Sequence, residues 1–404
     1  MGIFTEPAIR LARDCAKVWY YSTWEKAFVD DLSGKIGDGL DGIERVDNYY
    51  DYLDQADFIF CPDVFSGRLV EYLKKHGYPV AGAGESEKLE TDRWYGRTIQ
   101  VENGLPNQKT IEIVGTTELR KFCKENKNYF IKVDNGYRGI SESFKHTDIK
   151  STEPRLAYFD YKVGPYKDKA KFVCEELLKG LEPGLDGITF DGDLLYPTMA
   201  GYEKKGCGYI ARVYKTEEDL PLALRVLHAG LMPEFKKNNT RFFYSVECIV
   251  TEDKTPYLLD QTMRLAAPGT SAVQTELIEN YSEVIYGLAT GEKVDPIMKY
   301  HYAAALSIES SEASKTFVNI AFPKEMRRWL KLRMACKVDG EYYSVPPFDS
   351  IGCVVALGDS VKEVTNLVLE RVEEVKGTCF NSDTGGFKEI AGDIEKGKAL
   401  GINF

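Results

Sequence analysis

The sequence has 404 residues, a formal net charge of −11 and a pI of about 5.2. This length predicts two or three domains, and the acidic balance argues against a general nucleic-acid or membrane-surface binder, because phosphate groups attract positive patches. No apolar run approaches the roughly 20 residues of a membrane-spanning helix, and the N-terminus shows no signal-peptide pattern. Nine scattered cysteines without a CxxC pair favour reduced thiols in a cytoplasmic protein.

The first part of the chain predicts an α/β unit. Residues 57–62 are an apolar strand, residues 68–75 an amphipathic helix, and residues 78–82 a second short strand. This order is a βαβ unit, and ligands of open parallel sheets bind beyond the carboxyl ends of the strands. We therefore predict substrate loops at 62–66 and 82–85.

Two cationic positions follow. The stretch 89–106 predicts a helix that ends at Gly104, and it carries Arg93 near its start. Lys132 lies near the end of the apolar strand 129–133, directly before a loop that contains glycines. A lysine on a strand beside such a loop is an arrangement that holds phosphates, since backbone N–H groups supply further donors.

A strand-to-loop junction at 171–182 carries several polar groups. Backbone groups at the end of a strand can bind the edge of an adenine. Glu182, seven residues after Glu175, can accept hydrogen bonds from both ribose hydroxyls. The alternative is an acidic junction that binds no ligand.

The stretch 245–271 contains the most informative pattern. Two apolar strands joined by a charged turn predict a β-hairpin, so Glu247 on the first strand and Asp260 on the second share one face. Two carboxylates beside the hydroxyl of Thr262 suit Mg²⁺ that carries phosphates, and Arg264 would meet an anion. The alternative is a hairpin whose acidic residues are only solvated, although Glu247 within an apolar strand needs an explanation.

Helical spacing of apolar residues predicts helices over 220–231 and 275–290. Beyond Pro296, residues 351–357 predict a strand and residues 361–375 an amphipathic helix. These elements predict a last α/β region after Pro296.

The ordered set of motifs resembles the ATP-grasp superfamily of carboxylate–amine ligases. A Glu on one strand, followed by Glu/Asp-x-Asn-x-Arg at the end of the next, is similar to the metal-binding hairpin of that family, and Glu-x-x-Leu-x-Gly-x-Glu from Glu175 to Glu182 is similar to its adenine hinge. The resemblance implies an α/β fold, α+β in the nucleotide domain. Its parts are a Rossmann-like domain over 1–88, an ATP-grasp domain over 89–293 with a lid at about 120–190, and a C-terminal domain over 294–404.

The resemblance also implies site residues. Glu247 and Asp260 would hold Mg²⁺, with Mn²⁺ as a second candidate, and Thr262 would be a third ligand. The ATP-binding residues would be Arg93, Lys132, Gly136, Gly139, Glu175, Glu176, Leu178 and Glu182, with Glu175 and Leu178 beside the adenine base. Arg264 would steady the substrate carboxylate, and Arg138 would close its loop over the nucleotide and exclude water.

The implied reaction is activation of a carboxylate by ATP as an acylphosphate, attack by an amine, and release of ADP and phosphate. The partners are small-molecule carboxylates and amines, and a homodimer is compatible with this assignment. The domain order resembles phosphoribosylamine–glycine ligases, but their N-terminal glycine signature is absent and Thr262 occupies the Asn position. These departures favour a different acceptor and leave two alternatives: a nucleotide-binding protein without catalysis, and a kinase that forms a phosphorylated product.

Overall fold

The structure, a computed structural model, describes residues 3–22, 35–134 and 143–404. None of the helices in these ranges combines the length and the apolar character that crossing a bilayer requires. All nine cysteines lie in these ranges as free thiols, and only Cys379 is fully exposed.

Eleven α-helices lie in the described ranges: α1 (Thr5–Leu11), α2 (Gly67–Lys75), α3 (Lys88–Thr91), α4 (Arg93–Glu102), α5 (Thr116–Glu125), α6 (Ile149–Val163), α7 (Leu222–Lys237), α8 (Gly269–Leu277), α9 (Tyr281–Thr290), α10 (Val361–Val372) and α11 (Thr384–Ala399). The predicted helix over 89–106 is divided at Asp92, whose side chain accepts a hydrogen bond from Tyr95 N and caps α4.

The prediction of one helix over 275–290 is wrong, because the chain contains α8 and α9 there. Ile278 has extended backbone, which ends α8. The side chain of Asn280 donates to Asp295 O at 3.0 Å and accepts from Ile297 N at 2.8 Å. These bonds hold the break, since an amide side chain that bonds to a loop does not continue a helix.

Twenty-one β-strands lie in the same ranges: β1 (Trp19–Tyr20), β2 (Glu44–Arg45), β3 (Ile59–Phe60), β4 (Val80–Ala81), β5 (Thr110–Val114), β6 (Tyr129–Val133), β7 (Ser143–His146), β8 (Lys171–Glu176), β9 (Pro183–Phe190), β10 (Asp193–Leu194), β11 (Thr198–Lys204), β12 (Gly208–Tyr214), β13 (Arg241–Val250), β14 (Pro256–Thr262), β15 (Tyr302–Ser310), β16 (Val318–Ile320), β17 (Leu330–Leu332), β18 (Ala335–Val338), β19 (Glu341–Ser344), β20 (Ser350–Gly358) and β21 (Phe380–Asn381).

One antiparallel sheet forms the centre of the molecule. Its strand order is β14-β13-β9-β11-β12-β15-β20-β17, and β10 and β21 pair with β9 and β15. Pairing of β12 with β15 joins Gly208 to Leu306 and Arg212 to Tyr302. Strands from both sides of the predicted domain boundary at residues 293 and 294 therefore belong to one continuous sheet.

A separate four-stranded sheet has the order β5-β8-β6-β7. It has its own apolar core, in which Leu119, Ile131, Leu156 and Phe172 are almost completely buried. This sheet spans Thr110 to Glu176, whereas β9, which lies inside the predicted lid range, belongs to the central sheet.

The predicted βαβ unit is confirmed. β3 and β4 run parallel, with Ile59 opposite Val80 and Phe60 opposite Ala81, and α2 connects them. Val70 on α2 is fully buried in the same small core as Val80. This unit brings the loop at 62–66 to the end of the hairpin, where Leu265 N donates to Pro62 O at 3.2 Å.

Candidate nucleotide and metal site

The predicted hairpin is present as β13 and β14. Glu247 lies directly opposite Asp260, and Ser245 lies directly opposite Thr262. Residues opposite each other in an antiparallel pair project from the same face. The two carboxylates and the Thr262 hydroxyl therefore share one face of the central sheet, as the sequence predicts.

Neighbouring strands add Asp186 and Glu203, which the sequence analysis missed, and Glu182 joins them from the residue before β9. Glu247 pairs with Gly184 on β9, and Gly184 pairs with Gly201 on β11. Positions two residues away project from the same face of a strand. The resulting carboxylate face consists of Glu182, Asp186, Glu203, Glu247 and Asp260.

Burial and neighbouring like charges raise the pKa values of three of these groups, Asp186, Glu203 and Glu182. Burial raises the pKa of Asp186 to about 6, although the hydroxyls of Ser245 and Tyr209 donate to its carboxylate. Loss of surrounding water, Glu247 and Asp186 together raise the pKa of Glu203 to about 7. A surface that raises carboxylate pKa values in this way is one on which a bound cation would be stabilised.

Asp260 is the exception because cations surround it. Arg93 Nη1 donates to its two oxygens at 3.1 and 3.3 Å. Burial alone would raise the pKa of Asp260, but Lys132, Arg93 and Lys205 outweigh burial and lower the pKa to about 2. Asp260 is therefore ionised at neutral pH. Lys205 also lies 3.6 Å from Glu247.

Lys132, on the predicted strand β6, lies beside the hairpin. Its Nζ donates to Leu259 O at 2.5 Å and lies 3.2 Å from Glu175 Oε2. Arg93 reaches the same place from the start of α4, with its backbone N donating to Asp134 Oδ1 at 2.6 Å and its Nε to Val133 O at 3.2 Å. The two predicted phosphate-binding cations are thus brought together.

The hinge residues divide into two groups. The side chain of Glu175 is 5 % exposed and forms a buried ion pair with Arg97, a residue that the sequence analysis did not select. This position supports a structural role for the Glu175 carboxylate, because a buried carboxylate needs a cation partner. Glu176 is exposed and Leu178 half-buried, so both side chains remain accessible.

The chain after the hinge docks onto the end of β13. Leu181 and Val250 exchange backbone hydrogen bonds of 3.1 and 2.8 Å. This contact brings Glu182 beside Glu247, and loss of surrounding water together with the Glu247 charge raises the pKa of Glu182. The predicted ribose-binding residue therefore lies next to the predicted metal ligands.

Arg264 follows the hairpin and faces the N-terminal loop. Its Nε donates to Glu90 Oε1 at 3.0 Å and lies 3.8 Å from Asp63 in the predicted substrate loop. Burial alone would lower the pKa of Arg264, but Glu90 and Asp63 outweigh it and raise that pKa. Glu90 and Asp63 orient the guanidinium, and neither was selected from the sequence.

Arg333 is a further cation that the sequence analysis missed. Its Nη1 donates to Ser350 Oγ at 3.3 Å, while its Nε is buried with no hydrogen-bond partner among the described residues. Burial lowers the pKa of Arg333, and the positive charge of nearby Arg264 lowers it further. The C-terminal part of the chain thus adds a second guanidinium on the Arg264 side.

Three predicted residues, Gly136, Arg138 and Gly139, lie outside the described residues. Of the other ten, Arg93, Lys132, Glu182, Glu247, Asp260, Thr262 and Arg264 meet around the hairpin.

The carboxylate face has the donor chemistry that Mg²⁺ requires. In the described ranges no group of three His, Cys, Asp or Glu residues is arranged to hold a metal ion. Glu247 and Asp260 nevertheless supply two facing carboxylates, and Mg²⁺ commonly binds one or two carboxylates and completes its six ligands with phosphate oxygens and water. The residues fit an ion that arrives with a nucleotide.

Comparisons with known proteins identify the fold. No protein-family model matches the sequence. Over 368 aligned residues it is 21% identical to a phosphoribosylamine–glycine ligase from Pyrococcus horikoshii, and the match covers 83% of this chain and 81% of that enzyme. The solved structure of a phosphoribosylamine–glycine ligase from Thermotoga maritima has a TM-score of 0.71 at 17% identity, covering 94% of this chain and 96% of that one. The chain has the ATP-grasp fold.

A second solved structure widens this ATP-grasp comparison. The biotin carboxylase domain of a 2-oxoglutarate carboxylase from Hydrogenobacter thermophilus, solved with MgADP, has a TM-score of 0.64 at 11% identity. It covers 93% of this chain and 89% of that one. The predicted resemblance and fold class are confirmed, and both similarities extend over nearly the whole ATP-grasp chain.

Proposed function

We propose that the chain is an ATP-dependent ligase that joins a carboxylate to an amine through an acylphosphate and releases ADP and phosphate. The observation that supports this best is the facing pair of Glu247 and Asp260, with Lys132 and Arg93 beside it. The relatives that the chain matches over most of its length are named ligases, in agreement with the predicted class.

Binding and orientation are the tasks of the protein in such a reaction, because phosphoryl transfer needs positioning and charge neutralisation more than covalent chemistry. Glu247 and Asp260 would hold Mg²⁺, with Thr262 as a third ligand, and the bound ion would neutralise and orient the ATP phosphates. Lys132 and Arg93 would exchange their present carboxylate partners for phosphate oxygens. Glu182 would bind the ribose.

The acceptor side of the site is assigned to Arg264 and Arg333. Arg264 is oriented by Glu90 and Asp63, and Arg333 has a buried Nε without a partner among the described residues. A substrate carboxylate would satisfy such guanidinium donors with charge-assisted hydrogen bonds. The nine free thiols support a cytoplasmic location.

The test is ADP release from the purified protein with Mg-ATP and a panel of amino acids and amines, including glycine with phosphoribosylamine made in situ. We expect ADP and an amide with one carboxylate–amine pair. ADP with a phosphorylated product would instead indicate a kinase, and Mg-ATP binding without ADP release for any pair on a broad panel would argue for a binding protein. Both outcomes contradict the ligase assignment.

A further inference from the structure

A cavity of about 570 Å³ lies between the end of α1 and the segment Lys324–Arg328. It is lined by Ile9, Ala12, Arg13, Asp41, Gly42, Arg327 and Arg328. None of these residues belongs to the proposed nucleotide site. The volume is within the range of small-molecule sites, which is roughly 300–1,000 Å³.

We call it the cationic cavity because Arg13, Arg327 and Arg328 line it. Behind it, a single buried carboxylate pairs with three cations. Arg13 and Lys331 each lie 2.6 Å from Glu276, and Arg328 lies 2.7 Å from it. The Glu276 side chain is 1 % exposed. One negative charge therefore neutralises only part of the positive charge around it.

The remaining carboxylates do not remove this surplus. Glu6 pairs with Arg327 at 2.9 Å and lies 3.9 Å from Lys331. Asp41 pairs with Lys337 at 2.6 Å. The cluster has five cations, Arg13, Arg327, Arg328, Lys331 and Lys337, and three carboxylates, Glu6, Asp41 and Glu276, which leaves two positive charges in excess. The whole chain, by contrast, carries −11.

Two of the arginines have donors to spare. Arg13 bonds to Glu276 through one Nη atom and Arg328 through its Nε, so each guanidinium retains four further N–H groups. Their side chains are 39 % and 56 % exposed. Stacking on Trp329 at 4.6 Å also restricts the Arg328 guanidinium plane, which favours a preorganised contact.

We propose that the cationic cavity binds a small molecule that carries a phosphate group. A phosphate ester near neutral pH has close to two negative charges, which matches the surplus of the cluster. Guanidinium groups bind phosphate oxygens in pairs, a geometry that lysine does not provide. Ile9 and Ala12 give the wall an apolar part that would contact the body of the ligand.

The test uses inorganic pyrophosphate as the probe in metal-free buffer, and variants at the cavity separate its contribution from that of the nucleotide site. Isothermal titration calorimetry on the full chain measures the affinity. We expect wild-type protein to bind pyrophosphate under these conditions. Arg13→Gln combined with Arg328→Gln should weaken binding at least tenfold, whereas Arg155→Gln, the same change at an exposed arginine of α6, should leave it unaltered.

Two outcomes would overturn the proposal: no measurable pyrophosphate binding by the wild type, or equal affinity in the double variant and the wild type. Citrate tests the ligand class, since tighter binding of citrate than of pyrophosphate would contradict a phosphate site. Lys331 still pairs with Glu276 in the double variant, so we expect it to fold. Arg328→Gln alone, at a half-exposed position, provides a second variant and should weaken binding several-fold.

Discussion

On the carboxylate face, five acidic side chains meet three cations, Arg93, Lys132 and Lys205, whereas in the cationic cavity five cations meet three carboxylates. Each region is balanced in part by its own ion pairs and is left with charge of one sign. Because buried or crowded charge without a partner is unfavourable, each surplus indicates the sign of the ligand that would relieve it. The first region suits a divalent cation, and the second suits an anion.

The largest expected effect concerns Glu276, which holds the cationic cavity together. Replacing it by Gln leaves Lys331, whose side chain is 3 % exposed, with only the more distant Glu6, 3.9 Å away, as a negative partner. We expect Glu276→Gln to lower the free energy of unfolding by about 3–5 kcal/mol, measured by urea denaturation. Glu312→Gln, which removes an exposed ion pair with Lys315, should cost less than about 1 kcal/mol. Equal effects of the two substitutions would contradict a structural role for the cluster.

The same carboxylate should produce a pH dependence. Burial alone would raise the pKa of Glu276, but Lys331, Arg13 and Arg328 lower it to about 2. A carboxylate whose pKa is lower in the folded than in the unfolded protein stabilises the fold at pH values above its unfolded-state pKa. This stabilisation is lost as the pH falls towards its folded-state pKa. Between pH of about 4.5 and 2, wild-type stability should therefore fall by about 3 kcal/mol more than that of Glu276→Gln. Parallel urea titrations across this window check the difference, and equal slopes would exclude it.

On the carboxylate face the expected effect is on turnover. Asp260→Asn should lower turnover at saturating Mg-ATP at least tenfold and leave the fold intact, because Arg93 and Lys132 keep their bonds to Val133 O and Leu259 O. ADP release measures the turnover, and circular dichroism checks the fold. Glu252→Gln, at an exposed position of the hairpin turn, is the matched control and should have no effect. Unchanged turnover in Asp260→Asn would exclude the metal assignment.

The smallest effect is expected at Thr262, which lies opposite Ser245 and next to the facing pair Glu247 and Asp260. Thr262→Asn would provide an amide oxygen, a better Mg²⁺ ligand than a hydroxyl. We expect the Mg²⁺ concentration that gives half-maximal ADP release to fall a few-fold. A larger change in turnover than in the half-maximal Mg²⁺ concentration, or a loss of activity, would place residue 262 outside the proposed metal site.

Local patterns predicted the hairpin well, because alternation along two strands joined by a short turn determines which side chains face each other. Glu247 and Asp260 are directly opposite, as this argument requires. The full carboxylate face was not predictable in the same way. Asp186 and Glu203 reach it only because β9 and β11 lie beside β13 in the sheet order, and strand order depends on contacts between distant parts of the chain.

Other differences also arise from long-range contacts. The break between α8 and α9 depends on the Asn280 side chain meeting Asp295 and Ile297, which helical spacing alone does not reveal. Glu175 matches a hinge motif, yet Arg97 from α4 binds its carboxylate in the interior. In both cases a polar side chain finds a partner far along the chain, and that partner decides the structure.

The bonds around Arg93 have a mechanical consequence. Lys132, Val133 and Asp134, at the end of β6, are each tied to α4 or β14. A rigid rotation of the four-stranded sheet that preserves these three bonds must have its axis close to them. Points near an axis move least, so Arg93 and Lys132 would remain beside Asp260 while distant parts of the sheet travel farthest. The two cations that we propose to bind phosphate would then serve as the pivot of any such movement.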